Sequence, residues 1–136
     1  MATPTKKRAR PGRTRIWIAD SRPVDYDCLE SASEAALLDV RFLASAGDVL
    51  RRWATDLPDV CLVNARLSGI SGFDLVEMLR PFPDGMTVGI VGDRYAVEDE
   101  VRALGLGVHH YFCKPLEGAV LSDFCTPRTS ERRCYR

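Results

Sequence analysis

Polar side chains follow the short apolar runs of this sequence, at the points where a folded protein often presents reactive groups. The set contains one acid and one base, which could neutralise each other. It also contains an asparagine where a reactive group would be expected, although an amide is a poor nucleophile. These candidate site residues are Asp20, Ser21, Asn64, Gly92 and Lys114.

The apolar runs have the length and pattern of strands that alternate with helices. Predicted strands cover residues 16–19, 40–43, 60–63, 88–91 and 111–113, and predicted helices cover residues 23–38, 47–54, 73–79, 96–104 and 116–124. Parallel strands need crossover helices, so this alternation predicts an α/β fold with helices on both faces of a parallel sheet. Sites in such sheets lie at the carboxyl ends of strands, where the candidate residues stand.

The length and composition fit one globular domain. The chain has 136 residues, of which 46% are hydrophobic, which is enough for one core. No apolar run approaches the roughly 20 residues that cross a bilayer, and no apolar segment follows the basic N-terminus as it would in a signal peptide. Five scattered cysteines without a CxxC pair predict reduced thiols rather than disulfides or a zinc site. We therefore expect a cytoplasmic protein that does not bind membranes.

The zero net charge hides an uneven distribution. Residues 1–15 carry +6, residues 128–136 carry +3, and residues 16–127 carry −9. This pattern predicts a basic disordered tail at residues 1–13, a globular domain at residues 14–125 and a polar, basic tail at residues 126–136. Solvation explains the first tail most simply, and contact with phosphates or nucleic acid is the alternative.

Three segments in order resemble the receiver domain of bacterial response regulators, the flavodoxin-like fold of chemotaxis proteins. NARLSGISG (residues 64–72) is similar to the family's D-x-R-L-P-G-M-S-G, and DSRP (residues 20–23) is similar to its D-D-x-P. GLGVHHYFCKP (residues 105–115) is similar to the stretch that ends in the family's Lys-Pro. The resemblance covers about residues 14–124. It implies a five-stranded (βα)5 domain of a two-component, or phosphorelay, system.

The resemblance implies a chemistry that this sequence only partly keeps. In the family, an aspartate after the third strand is phosphorylated, two acids after the first strand help to hold Mg²⁺, and a Thr or Ser and a Lys bind phosphoryl oxygens. The acidic-pocket positions are Asp20 and Ser21, the phospho-acceptor position is Asn64, and the phosphoryl-binding positions are Gly92 and Lys114. An amide cannot form an acyl phosphate. Ser21 lacks the carboxylate expected at its position, and Gly92 lacks the hydroxyl expected at its position. We therefore expect no phosphotransfer, no enzymatic activity and no Mg²⁺ or other cofactor.

Two details of that assignment stay open. A shift of one residue would put Val91 rather than Gly92 at the hydroxyl position, and neither has a hydroxyl. Asp93 is a potential second acid beside the site. Asn64 either satisfies hydrogen bonds in a relic pocket or locks the domain in a constitutive state, and the two interpretations are compatible.

Aromatic residues near the last strand invite functional interpretations that we do not favour. Tyr111 matches the switch aromatic of the family, but Gly92 offers no hydroxyl to couple to it, so we expect an ordinary half-buried aromatic. His109 and His110 are adjacent on a strand and point to opposite faces, so they are expected to be solvated rather than to share a metal.

The sequence therefore predicts a pseudo-receiver that signals by binding another protein, such as a histidine kinase, a response regulator or an output protein. The contact would use residues 96–104, 109–112 and 116–124, which are also a candidate homodimer face. About ten residues follow Pro127, which is too few for a DNA-binding domain, so we expect nucleic acid contact only through the basic N-terminal tail. The alternatives are a still-phosphorylatable response regulator with an unusual pocket and a small-ligand sensor built on the receiver fold.

Overall fold

A computed structural model describes residues 12–30 and 37–126 of the chain, and they form a five-stranded parallel sheet with helices on both faces. The strands are β1 (Thr14–Ala19), β2 (Leu38–Leu43), β3 (Val60–Asn64), β4 (Thr87–Gly92) and β5 (His110–Cys113), in the order β2-β1-β3-β4-β5. The helices are α1 (Ala46–Trp53), α2 (Gly72–Leu79), α3 (Val97–Gly105) and α4 (Gly118–Cys125), and a 3-10 turn lies at Pro23–Tyr26. The predicted α/β fold and its five strands are confirmed.

The inner strands are apolar along their central residues because both of their faces are covered. Alternate residues of β1 enter different cores: Trp17 joins a cluster with α1, α2 and α3, whereas Ile16 and Ile18 join a cluster with α4. Buried strands of parallel sheets have this continuous apolar character. The polar residues that end these strands are therefore conspicuous.

The predicted helix at residues 23–38 is wrong at both ends. Its first turn, Pro23–Tyr26, is a 3-10 turn, and Leu38 is already the first residue of β2. Leu37 has a φ of 57°, a left-handed conformation that ends any helix before it. Residues 31–36 lie outside the described residues, as do residues 1–11 and 127–136 of the predicted tails.

Local contacts fix the start of α2 against the end of β3. The Ser71 side chain caps the helix by accepting a hydrogen bond from the Asp74 N–H. Gly72 is required here, since a Cβ at this position would lie 2.0 Å from the backbone oxygen of Asn64. The loop that leaves Asn64 is thus held close to the sheet.

Candidate functional site

The carboxyl ends of four strands bring the sequence-predicted residues to one edge of the sheet. Asp20 follows β1, Asn64 ends β3, Gly92 ends β4 and Lys114 follows β5. The Lys114 N–H donates to the Gly92 carbonyl over 2.9 Å, which holds the last two positions side by side. The sheet order places β1 between β2 and β3, a switch in strand order of the kind at which α/β proteins form sites.

Lys114 is the centre of the cluster. Its ammonium Nζ lies 2.9 Å from Asp20 Oδ2, 2.7 Å from Asp25 Oδ2 and 3.2 Å from Asp93 Oδ1. An ammonium has three protons to donate, and here three carboxylates surround it. We call this group of Lys114 and its three acids the lysine cradle.

Asp20 is the most deeply buried acid of the lysine cradle and is bonded through both oxygens. Its Oδ1 accepts from the backbone N–H of Arg22 over 2.9 Å, and its Oδ2 accepts from the Tyr26 hydroxyl over 2.7 Å in addition to Lys114. Burial and the charge of Asp20 raise the pKa of Tyr26, so this hydroxyl stays a donor. Neither oxygen of Asp20 lacks a partner.

Asn64 is also buried with both ends of its amide bonded. Its Oδ1 accepts from the Arg66 backbone N–H over 2.8 Å, and its Nδ2 donates to Asp93 Oδ1 over 2.9 Å. The second bond depends on the amide, because a carboxylate at position 64 would present an acceptor to another carboxylate. The structure therefore gives Asn64 a specific role in holding Asp93.

Contacts within the lysine cradle shift the pKa values of Lys114, Asp25 and Asp93. Burial alone would lower the pKa of Lys114, but hydrogen bonds to Asp25, Asp20 and Asp93 outweigh it and the pKa rises. The hydrogen bond from Lys114 is the main cause of a lowered pKa at Asp25. Burial would raise the pKa of Asp93, but the hydrogen bonds from Asn64 and Lys114 lower it overall. These groups favour each other's charged forms.

The site holds more acids than the pair that the sequence pattern places there. Asp20 was expected to face Lys114 so that the two could neutralise each other, and Asp93 was a potential second acid beside the site. Asp93 does lie beside the site, and Asp25, which the sequence reasoning missed, makes the shortest contact of all. Three carboxylates against one ammonium leave an excess of two negative charges. The signal that could have revealed Asp25 is its place just after Pro23, in a turn that follows Asp20 closely.

Ser21 takes no part in the lysine cradle. It is exposed, and its side chain makes no hydrogen bond to the residues that the structure describes. Asp25, four residues later, contacts Lys114 instead.

Gly92 leaves a space that Tyr111 fills. A Cβ built at position 92 would lie 2.3 Å from the Tyr111 Oη and 3.0 Å from its Cζ. The expectation of a half-buried Tyr111 was wrong, because only 8% of the residue is exposed. The ring packs edge-on to Tyr95, with 6.4 Å between ring centroids. A side chain at position 92 and the inward ring exclude each other.

The Tyr111 hydroxyl has no hydrogen-bond partner of normal geometry within the described part of the chain. Burial raises the pKa of Tyr111, and the nearby backbone amide of Ala96 partly opposes this rise. The Ala96 amide does not reach the Tyr111 hydroxyl with the geometry of a normal hydrogen bond. An unpaired buried hydroxyl costs free energy. Packing of the ring, rather than a bond from its hydroxyl, therefore holds Tyr111 inward.

The two histidines have separate structural roles. His109 is exposed, but its Nδ1 accepts a hydrogen bond from the Val88 N–H over 3.0 Å and so extends the pairing of β4 with β5. His110 packs at a tilt against Phe112, with 4.3 Å between ring centroids and 50° between ring planes, and burial lowers the pKa of His110. Both histidines are exposed, as the sequence predicts, and no metal-binding group of three or more His, Cys, Asp or Glu occurs within the described ranges.

Solved structures of the same fold match this chain closely in shape. A response regulator from Chloroflexus aurantiacus has 23% sequence identity and a TM-score of 0.71, over 80% of this chain and 91% of that chain. A CheY-like receiver domain protein from Methanospirillum hungatei has 24% identity and a TM-score of 0.70, over 81% and 88%. A two-component response regulator from Clostridium difficile has 18% identity and a TM-score of 0.72, over 81% and 90%. At these identities the likeness shows the fold.

Sequence comparison identifies the family. No curated protein sequence matches the chain, and no helix in the described residues is long and apolar enough to cross a membrane. The sequence model of the response regulator receiver domain family matches residues 16–125 of this chain. Receiver domains are signalling modules of two-component systems and interact with other signalling proteins. Because the match spans most of its length, this chain belongs to the response regulator receiver domain family.

Proposed function

We propose that this receiver domain signals through protein contact alone, without phosphorylation, Mg²⁺ or enzymatic activity of its own. The observation that carries the proposal is the bonding at the phospho-acceptor position. Asn64 uses its amide nitrogen to hold Asp93 and its amide oxygen to accept from the Arg66 N–H. An acyl phosphate needs a carboxylate nucleophile, and this amide is committed to structure.

The lysine cradle supports the second part of the proposal, because its donors do not fit Mg²⁺. That ion takes oxygen ligands in near-octahedral geometry at about 2.0–2.1 Å. Both oxygens of Asp20 are already bonded, and the Asn64 oxygen is bonded to Arg66. A divalent cation at the centre would also meet the positive charge of Lys114, which lies within 3.2 Å of all three acids. The donor set fits an ammonium.

The inward Tyr111 supports independence from a switch. In a domain that responds to a ligand, the ligand must favour one of two states. Here the Tyr111 ring occupies the space that a side chain at position 92 would take, because Gly92 has no side chain. The ring takes this position without a ligand. The domain would then present a constant surface to its partner in the cytoplasm.

Intact-mass measurement after incubation with acetyl phosphate and MgCl₂ tests the proposal. We expect no phosphoryl adduct on the full chain, and titration calorimetry with MgCl₂ should show no binding heat above that of dilution. A receiver domain with a complete acidic pocket, treated in parallel, is the positive control. A labile adduct that maps to the peptide carrying residues 60–66 would refute the proposal.

A further inference from the structure

Strand β2 forms one edge of the sheet, so one side of its backbone has no neighbouring strand among the residues that the structure describes. The carbonyls of Leu37, just before β2, and Leu43, at its end, accept hydrogen bonds from the β1 side. Peptide groups alternate in direction along a strand, so those of Val40 and Phe42 point to the open side. An open strand edge is a ready template for another strand.

The exposed side chains of β2 include two opposite charges. Asp39 and Arg41 are two residues apart, so they lie on the same face of the strand, and both are exposed. Neither charge forms a salt bridge within the described part of the chain. The neighbour of Asp39 on β1 is Arg15, whose guanidinium is bonded to Asp56. Asp39 and Arg41 are therefore available to a second molecule.

Phe42 adds an apolar contact at the same edge. The residue is 41% exposed, and its ring packs at a tilt against Tyr26 with 6.0 Å between ring centroids. Tyr26 is buried and its hydroxyl donates to Asp20, so Phe42 has a fixed support. Val40 packs half-buried against the core on the same face. The edge thus offers apolar groups on one face and opposite charges on the other.

We propose that two copies of this chain pair through β2, edge to edge and antiparallel, with Val40 on the two-fold axis. This inference goes beyond the proposed function and does not depend on it. The two Val40 residues would exchange both of their backbone hydrogen bonds. Asp39 of each copy would then lie opposite Arg41 of the other, at the positions of an antiparallel ladder where facing side chains are closest.

The charges of β2 favour this register over its neighbours. A two-fold axis at Asp39 would place two acids opposite each other, and an axis at Arg41 would place two bases opposite each other; facing like charges are destabilising. An axis between two residues would set outward peptide groups against inward ones and form no ladder. In the register centred on Val40, the sequence of β2 is its own complement.

Other pairings of the edge fit less well. Pairing of β2 with β5 of another copy would leave a free edge at each end and continue into a filament, whereas the β2 pair closes as a two-fold dimer. An extended segment of an unrelated protein could add to the same edge, but nothing in β2 requires its charges to match. The self-complementary charges therefore favour a second copy.

Sedimentation of the full-length protein over a range of concentrations tests this inference. We expect wild type to form a dimer. Arg41→Asp and Asp39→Arg should each weaken the dimer by about tenfold or more, because both facing pairs become like-charged. Arg80→Asp makes the same charge change at an exposed residue after α2, which connects β3 to β4, and should leave the dimer unchanged. Circular dichroism and melting curves verify that each variant is folded.

A mixture of the two variants separates contact between copies from contact within one copy. Asp39→Arg leaves two bases on β2, and Arg41→Asp leaves two acids, so neither variant should pair with itself. In an equimolar mixture every base would face an acid, and a heterodimer should form about as tightly as the wild-type dimer. The double variant with both substitutions restores opposite charges and should also dimerise.

The inference is overturned if wild type remains a monomer up to about 1 mM, where even a dimer of millimolar affinity would be detected. It is also overturned if Arg41→Asp leaves the dimer intact, if the mixture does not associate, or if filaments form instead of dimers. A dimer that Val101→Gln on α3 dissociates and Arg41→Asp does not would use another face. The acetyl phosphate experiment gives a separate answer, since an adduct together with a charge-dependent dimer would refute the proposed function and leave the β2 pairing standing.

Discussion

The substitution Gly92→Ala tests whether the inward Tyr111 depends on an absent side chain. The new Cβ would lie 2.3 Å from the Tyr111 Oη, whereas carbon atoms in contact are about 3.5–4.0 Å apart. The ring must therefore move by about 1 Å or more. Overpacking of this kind costs about 1–3 kcal/mol, and the lost chain entropy of glycine returns about 0.4–1 kcal/mol. We expect Gly92→Ala to lower the free energy of unfolding by about 1–2 kcal/mol.

Tyr111→Phe provides the matched background. It removes the atom at 2.3 Å and leaves Cζ at 3.0 Å as the nearest ring atom, a contact that small adjustments can absorb. It also removes a buried hydroxyl without a normal partner, so the variant itself should be neutral or slightly stabilising. In this background, Gly92→Ala should cost about 1 kcal/mol less than in wild type.

Urea denaturation of the wild type, the two single variants and the double variant measures this coupling as a double-mutant cycle. The reasoning is refuted if Gly92→Ala costs the same in both backgrounds, since the ring hydroxyl would then not be the obstacle. A stabilising Gly92→Ala in wild type would refute it as well, because Tyr111 would have to lie elsewhere.

Two further predictions concern the lysine cradle. Lys114→Met should leave the buried Asp20 without a cationic partner and lower the free energy of unfolding by about 3 kcal/mol at neutral pH. The lowered pKa values of Asp25 and Asp93 stabilise wild type above their ordinary pKa of 3.8, and this stabilisation is lost as the pH falls through their folded values. The raised pKa of Lys114 stabilises the folded state below pH 10.5, and this stabilisation is lost as the pH rises above that value. Urea denaturation at a series of pH values should therefore show a plateau in the free energy of unfolding of wild type between these limits. The Lys114→Met variant should lack this plateau. Asn64→Asp should destabilise by about 1 kcal/mol at pH 7 and less near pH 4, because a carboxylate would face Asp93. That variant should acquire no phosphoryl adduct, and an adduct would contradict us.

The sequence was a good guide to the sheet and a poorer guide to the turns. The apolar runs of the inner strands β1, β3 and β4 are covered on both faces, and their alternation with helices determines which residues converge. Asp25 could not be found in this way, since its contact with Lys114 depends on a 3-10 turn where a regular helix was expected. The sequence also could not locate the end of the helix predicted at residues 23–38, because the side chain of Leu37 does not indicate a left-handed conformation. The fit of Tyr111 against Gly92 is a packing relation between strands that local patterns do not contain.

Three contacts hold the residues of the site together. Asp25 pairs with Lys114, and Asp93 accepts a hydrogen bond from the Asn64 amide. Tyr111 fills the volume beside Gly92.

These contacts explain why we expect single substitutions toward the family pattern to give no phosphorylation. A carboxylate at position 64 meets Asp93, and a side chain at position 92 meets Tyr111. Because groups in contact are not energetically independent, a working phospho-acceptor site would require the partners to change together with the restored residues. These contacts make the pocket one packed and paired unit.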